Sequence, residues 1–261
     1  MGRTKWKGRC SSSPEWRQEL RVKKLSIPLN DDLISGQLIE PDTGVPGVLF
    51  VHGWAGSQER DKKRANAFAQ LGFVSLTFDL RGHGASTSEL RHVTREDNLA
   101  DICAAYDMLA RQPQVDNSSI AVVASSYGAY LATIATSRRP VRWLALRVPA
   151  LYRDVDWSMP KFQLDKEDLA VYRRSLVRAD QNVALKHCRD FEGDVLIVES
   201  ENDEIVPHPA VASYLSSFVH ARSVTYRVIS GADHALSTAE SQRAYDQLLS
   251  HWLREMIFGA R

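Results

Sequence analysis

The stretch Ile120–Tyr130, IAVVASSYGAY, limits most sharply what this chain can fold into. Ile120, Ala121, Val122 and Val123 form an apolar run after the turn-prone Asp116-Asn117-Ser118-Ser119, which reads as a buried strand. The run gives way to small residues, and a helix is expected from about Tyr127. In the turn Ala124-Ser125-Ser126-Tyr127-Gly128, small residues stand two before and two after Ser126. Side chains at those two positions would collide in so sharp a turn, so this register singles out Ser126 and not Ser125. The strained turn would lift the Ser126 hydroxyl off the sheet edge, beside the positive N-terminal end of the helix. This is the small-x-Ser-x-small form of a nucleophile elbow, with Ala124 in place of the first glycine.

The rest of the chain supplies the matching elements. Arg21–Leu29 and Leu33–Ile39 read as a hairpin about Asn30-Asp31-Asp32, followed by a turn over residues 42–47. Val48–His52 and Val74–Phe78 are continuous apolar runs of the kind buried on both faces of a sheet. Arg60–Leu71 lies between them with helical spacing and closes at Gly72. Arg95–Gln112 carries a helical stripe of Leu99, Ile102, Cys103, Tyr106 and Leu109 or Ala110 and ends at Pro113. After the elbow come a strand at Trp143–Val148, a mostly helical charged stretch over residues 164–188, and a strand at Val195–Glu199. A helix at Pro209–Phe218, a strand at Ser223–Ile229 and a closing amphipathic helix at Glu240–Phe258 complete the chain. Strands alternating with helices after a hairpin predict an α/β fold: a mostly parallel, doubly wound sheet of about eight strands with an antiparallel edge.

Composition narrows the partners. With 33 basic and 32 acidic residues the formal net charge is +1, which offers no broad basic surface to nucleic acid or membrane. No apolar run approaches the roughly 20 residues that span a bilayer. The three cysteines, Cys10, Cys103 and Cys188, are far apart and lack metal-ligand spacing, so a reducing, cytoplasmic setting is the simplest reading. The N-terminus MGRTKWKGRC has no following apolar segment, and residues 1–20 are expected to form a peripheral tail before a domain at 21–261. Neither a three-glycine dinucleotide fingerprint nor a phosphate-binding P-loop is present.

In an open parallel sheet, reactive groups collect beyond the carboxyl ends of the strands. Asp203 follows the strand ending at Glu199, and His234 follows the strand ending at Ile229. The order Ser126, Asp203, His234 suits nucleophilic catalysis. A serine hydroxyl needs a base, an imidazole with a reference pKa of about 6.5 can take and return its proton, and a carboxylate can hold that imidazole. The backbone N–H groups of Tyr127 and of Trp54 are the expected donors to the oxyanion that would form. Asp154 and Asp156 are rival acids from the preceding loop, and Glu201 and Glu204 are expected to face solvent. His52 is read as shaping the loop that bears Trp54, His83 as structural, and Asp79 and Arg81 as organising their own loop through hydrogen bonds.

Five segments, LFVHGWAGS, LTFDLRGHGAS, IAVVASSYGAYLA, VLIVESENDEIVP and ISGADHALS, resemble the α/β-hydrolase superfamily, and the likeness runs from about Arg21 to the end. Within it the chain looks like small esterases and serine-aminopeptidase-like hydrolases, including cinnamoyl esterases, monoacylglycerol-lipase-like enzymes and dienelactone-hydrolase relatives. The resemblance implies a Ser-His-Asp hydrolase without a cofactor or metal. Serine at the elbow disfavours the reactions of relatives that use Asp or Cys there. The superfamily inserts a lid between the elbow-side strands and the acid strand, here residues 150–193, where Lys161–Cys188 is expected to be a solvated helix. Tyr152, Trp157, Met159 and Phe162 are candidates to line an acyl or aryl pocket, or simply to pack the lid. Hydrolysis of a small-molecule carboxylic ester is the leading expectation. An aminopeptidase or amidase, with Asp154, Asp156 or Glu204 binding a substrate amine, remains open, as does a non-catalytic binding protein.

Overall fold

The computed structural model describes residues 20–29, 32–41, 46–86, 88–155 and 157–258, with the backbone alone at 20, 21, 40, 41 and 258. The expected tail before Leu20, Cys10, most of the two early turns and Asp156 fall outside them.

Among the described residues eight strands form one sheet: β1 Leu20–Leu29, β2 Asp32–Pro41, β3 Gly47–Val51, β4 Val74–Phe78, β5 Ile120–Ser125, β6 Trp143–Arg147, β7 Asp194–Ser200 and β8 Ser223–Ile229. Their order is β1-β2-β4-β3-β5-β6-β7-β8. The first two pairings, β1 with β2 and β2 with β4, are antiparallel; every later one is parallel. Seven helices accompany them: α1 Glu59–Ala69, α2 Arg95–Ala110, α3 Tyr127–Ala135, α4 Lys166–Arg173, α5 Val183–Asp190, α6 His208–Ser217 and α7 Ala239–Phe258. The expected mostly parallel, doubly wound sheet with an antiparallel edge is the architecture found.

The two-residue period of a strand divides the core between two faces. Leu49, Val51, Val122, Ala124, Leu144, Leu146, Val195 and Ile197 face α2, α3, α5 and α6. Their neighbours Val48, Phe50, Ala121, Val123, Trp143, Ala145, Leu196 and Val198 face α1 and α7. Both faces are covered, which is why the central strands read as unbroken apolar runs. The elbow strand β5 lies between β3 and β6, so Ser126 emerges from the middle of the sheet.

The stretch expected to be one solvated helix is broken. Lys161–Gln163 and Ala179–Gln181 are single 3-10 turns, and α4 and α5 stand apart. The cause is local. Asp165 accepts the N–H groups of Glu167 and Asp168, and Asn182 accepts those of Ala184 and Leu185, so each side chain starts a new helix. Arg173, Val177, Asn182, Ala184, Leu185 and Cys188 are buried. Polar side chains tie the segment to the body: Arg173 donates to the carbonyls of Leu151 (3.0 Å) and Ile205 (3.2 Å), Asn182 to that of Tyr152 (2.7 Å), and Arg95 of α2 to that of Arg153 (2.6 Å).

One glycine sets how closely α3 approaches β3. A Cβ on Gly128 would lie 2.3 Å from the carbonyl oxygen of His52 and 2.9 Å from that of Val51. Alanine normally stabilises a helix interior over glycine by about 1 kcal/mol. Here Gly128→Ala is expected to reverse that sign and cost about 1–3 kcal/mol through overpacking, read as a lower midpoint in denaturant unfolding. An unchanged or higher midpoint would contradict this packing.

Candidate active site

Ser126 has φ 52° and ψ −116°, left-handed backbone that a non-glycine residue adopts only under constraint. The other non-glycine residues at positive φ among the described residues are Ala55, Val148 and Leu236, each in a loop beyond a strand's carboxyl end. Ser126 is fixed from both sides: its N–H donates to the Arg147 carbonyl (2.9 Å), and its carbonyl accepts from Tyr130 (3.1 Å) and Ala150 (3.2 Å). Ser125 is the last residue of β5, so the strained position is Ser126.

Three loops bring the expected residues together. His234 Nε2 lies 3.1 Å from Ser126 Oγ, and His234 Nδ1 lies 2.6 Å from Asp203 Oδ2. Asp203 Oδ1 accepts the N–H groups of Ile205 and Val206, both at 2.8 Å. The carboxylate side chain is 1% exposed. Because Asp203 is an acceptor, Nδ1 carries the proton, and the lone pair of Nε2 faces the serine hydroxyl. The Asn202 N–H donates to the Ala232 carbonyl (2.8 Å), which links the acid loop to the histidine loop. This arrangement can accept a proton from Ser126 and stabilise the imidazolium that results.

The rival acids are engaged elsewhere. Asp154 accepts from the Val183 N–H (2.9 Å) at the start of α5. Glu201 accepts from Gly231 (2.6 Å) and is exposed, as is Glu204. The N–H groups of Trp54 and Tyr127 have no acceptor among the described residues. The loop bearing Trp54 is shaped by His52, whose Nδ1–H donates to Gly53 (2.7 Å) while Nε2 accepts from Leu80 N–H (3.1 Å). Both ring nitrogens are thereby used, and burial pushes the pKa of His52 down. His83 Nδ1–H donates to the Arg81 carbonyl (2.9 Å), and its Nε2 is buried without a partner among the described residues. Its ring lies 4.8 Å from that of Trp54, which in turn meets Tyr127 edge-on at 5.4 Å.

A buried polar network holds the next loop. Asp79 accepts the Gln58 N–H (2.8 Å), Gln58 Nε2 (2.9 Å) and Ala85 N–H (3.1 Å). Gly84, at φ 53°, allows this: a Cβ there would lie 2.3 Å from Asp79 Cγ. Arg81 pairs with Asp101 of α2 through its N–H (2.8 Å) and Nε (2.6 Å). Asn98 donates to Asp101 (3.0 Å) and accepts the Tyr127 hydroxyl (3.1 Å), so the residue after Ser126 is pinned to α2.

Ser126 and His234 open into a cavity of about 550 Å³, bounded by the Gly53–Ser57 loop, by Arg60, Asp61 and Arg64 of α1, and by Arg147. The expected pocket residues do not line it. Tyr152 and Met159 line a separate cavity of about 350 Å³. Tyr152 is buried behind Tyr127, its ring 5.6 Å away, because the chain after β6 turns inward and the Tyr214 hydroxyl binds the Ala150 carbonyl (2.8 Å). Trp157 stacks on Tyr130 at 6.3 Å under Arg95, and Phe162 is 59% exposed. The neighbouring Lys161 is the residue that reaches the elbow, with Nζ 4.1 Å from the Trp54 ring centroid and 5.3 Å from those of Tyr127 and Tyr152. Arg147, Lys161, Asn98 and Gln58 were not singled out in the sequence. Arg147 alone carried a signal: one charge within the apolar run WLALRV.

Among the described residues no group of three or more His, Cys, Asp or Glu side chains could hold a metal ion, and no helix is long and apolar enough to cross a membrane. Cys103 and Cys188 are free and buried.

Burial pushes the His83 pKa down to about 4. The unfolded chain therefore takes up this proton first, near pH 6.5, and the neutral ring's contribution to stability is lost as pH falls from there to about 4. At roughly 1.4 kcal/mol per pKa unit, wild type is expected to lose on the order of 3 kcal/mol relative to His83→Asn over that window, measured by chemical denaturation at a series of pH values. Parallel stability curves would contradict it.

Comparison with known proteins agrees with this architecture. A Mycobacterium tuberculosis protein described as uncharacterized is 29% identical over 189 residues, 72% of this chain and 63% of its own length. The chain thus spans less than two thirds of that relative. A Butyrivibrio proteoclasticus protein solved with bound ferulic acid superposes with a TM-score of 0.71 at 18% identity, over 89% of this chain and 99% of that one. An acylaminoacyl peptidase of Pyrococcus horikoshii superposes with a TM-score of 0.70 at 15% identity, over 92% of this chain and 41% of that one. These structures share the α/β-hydrolase fold, and the likeness at such identity is one of fold. The prolyl oligopeptidase family profile matches residues 59–259, from the start of α1 to the end of α7. The chain belongs to the prolyl oligopeptidase family.

Proposed function

We propose that this chain is a serine hydrolase that cleaves carboxylic esters of small or medium acyl or aryl groups through an acyl-enzyme on Ser126. The observation that carries the reading is the relay from Asp203 through His234 to Ser126, at 2.6 and 3.1 Å. Ser126 Oγ attacks the ester carbonyl as its proton passes to His234 Nε2. The carbonyl oxygen becomes an oxyanion and takes hydrogen bonds from the N–H groups of Trp54 and Tyr127. His234 then protonates the departing alcohol, leaving an ester on Ser126. Water, deprotonated by the same imidazole, attacks that ester and releases the acid and the free serine. Asp203 keeps Nδ1–H in place throughout and is not itself protonated.

Family membership favours a second reading, cleavage of a peptide or amide bond by the same groups. The cavity's charges disfavour the aminopeptidase form of that reading. An enzyme that grips a substrate's free amine needs an unpaired carboxylate near the nucleophile. Asp61 is the carboxylate that lines the Ser126 cavity, and Arg64 Nη1 already pairs with it at 3.0 Å. Two buried free thiols, Cys103 and Cys188, suit the reducing, cytoplasmic setting proposed with it.

Ser126→Ala is expected to lower kcat/KM for short-acyl p-nitrophenyl esters by about 10³-fold or more, to abolish labelling by a fluorophosphonate, and to leave the unfolding midpoint within about 1 kcal/mol of wild type. Undiminished turnover in the variant would refute the assignment. Wild-type turnover of aminoacyl amides faster than of the matching esters would replace the ester reading with the peptidase one.

A further inference from the structure

The cavity beside Ser126 is cationic in a way that the chemistry just described does not require. Arg60, Arg64 and Arg147 line it, with Asp61 as the carboxylate. Arg64 is balanced by Asp61 (3.0 Å) and Asp246 (2.7 Å). Arg60 is exposed and donates to the Ala235 carbonyl (2.5 Å). Arg147 is different. It is only 8% exposed, yet its partners are neutral: the His234 carbonyl (2.8 Å, from Nη1), Ser125 Oγ (3.3 Å, from Nε) and the face of the Tyr245 ring (5.8 Å to the centroid). Among the described residues no carboxylate forms an ion pair with it, and Nη2 has no acceptor. The nearby Asp203 is committed to His234.

Asp61, the other carboxylate near it, is paired with Arg64, and a buried guanidinium with no carboxylate of its own is costly. Tying down the histidine loop does not explain it, because a neutral amide could donate to the His234 carbonyl without burying a charge. The charge also works against the proposed mechanism. A cation beside His234 disfavours the imidazolium that proton transfer creates. An anion brought by the substrate would remove both costs together. The position is held firmly as well: Arg147 ends β6, its carbonyl anchors Ser126 N–H at 2.9 Å, and Val148 after it is a β-branched residue at φ 41°.

We propose that the Ser126 cavity selects substrates bearing a carboxylate, and that Arg147 is the side chain that pairs with it. This rests on the serine-hydrolase reading and names its substrate class. A carboxylate suits the planar guanidinium, whose free Nη2 edge offers charge-assisted hydrogen bonds. On this account an acyl chain or alcohol ending in a carboxylate is held with its ester carbonyl at Ser126, and a plain aliphatic ester is turned over slowly.

The test compares matched esters on the wild-type chain, Arg147→Gln and Arg147→Lys. One arm sets monomethyl esters of short dicarboxylic acids against methyl esters of the corresponding monocarboxylic acids. The other sets acetyl esters of hydroxy acids against acetyl esters of the plain alcohols. Wild type is expected to favour the carboxylate-bearing member by about tenfold or more in kcat/KM in at least one arm, which also identifies the side of the ester that carries the anion. Arg147→Gln should erase that preference mainly through KM, and Arg147→Lys should restore part of it. A wild type without preference in either arm, or a Gln variant that loses both members equally, would overturn the proposal and leave Arg147 a clamp on the histidine loop. A binding measurement covers the case in which the Gln variant fails to fold. A free dicarboxylate, and not the corresponding diamide, should slow fluorophosphonate labelling of Ser126 in wild type. Labelling that neither compound slows refutes the carboxylate site alone, whereas no labelling at all refutes the serine-hydrolase reading and this proposal with it.

Discussion

The arrangement at the carboxyl edge of the sheet depends on the backbone at Ser126. Its φ of 52° lets the chain leave β5 and enter α3 without an intervening loop, so the hydroxyl stands above the central strand. That conformation is unfavourable in isolation, by about 1–3 kcal/mol for a residue held in a sparsely populated region. Neighbours on both sides hold it. The Arg147 carbonyl on β6 binds its N–H, Ala150 binds its carbonyl, and α3 lies so close to β3 that position 128 has no room for a Cβ. The strain is therefore sustained by the packing of the sheet centre, the most thoroughly buried part of the molecule.

From that fixed point the surrounding loops are positioned by buried polar groups that each meet a partner. Asp79 gathers Gln58 and Ala85, Arg81 grips Asp101, and Asn98 carries the connection to the Tyr127 hydroxyl. His52 spends both ring nitrogens on backbone groups. The result is a rigid rim on which His234 and Asp203 are the polar pair directed at the serine. The segment between β6 and β7 contributes differently. Arg95, Arg173 and Asn182 stitch it down through main-chain carbonyls, and Lys161 rests over the aromatic rings behind the Trp54 loop.

Much of this was legible in the sequence, and the part that was not has a physical reason. Strands β3 to β7 are buried on both faces and announce themselves as apolar runs, and Ser126, Asp203 and His234 sit immediately beyond strand ends. Their convergence follows from strand order alone. The stretch over residues 161–188 reads as one helix because charge and helical spacing do not reveal where Asp165 and Asn182 restart the helix by capping it. The cavity wall was missed for a related reason. Arg60, Asp61 and Arg64 look like a solvated helix face until tertiary packing turns α1 toward the serine, while Tyr152 packs behind Tyr127 and Trp157 stacks on Tyr130 instead of lining the cavity. Arg147 alone shows in the sequence, as the one charge within the apolar run WLALRV.

Turnover is proposed to pass through an acyl group carried on Ser126. The most direct measurement is acid quenching of the wild-type chain in the steady state with an activated ester, followed by peptide mapping in a mass spectrometer. A peptide containing Ser126 and heavier by one acyl group is expected, absent when the ester is omitted and lost as the substrate is exhausted. An adduct on any other residue, or turnover without an adduct under conditions where deacylation is slowed, would contradict it.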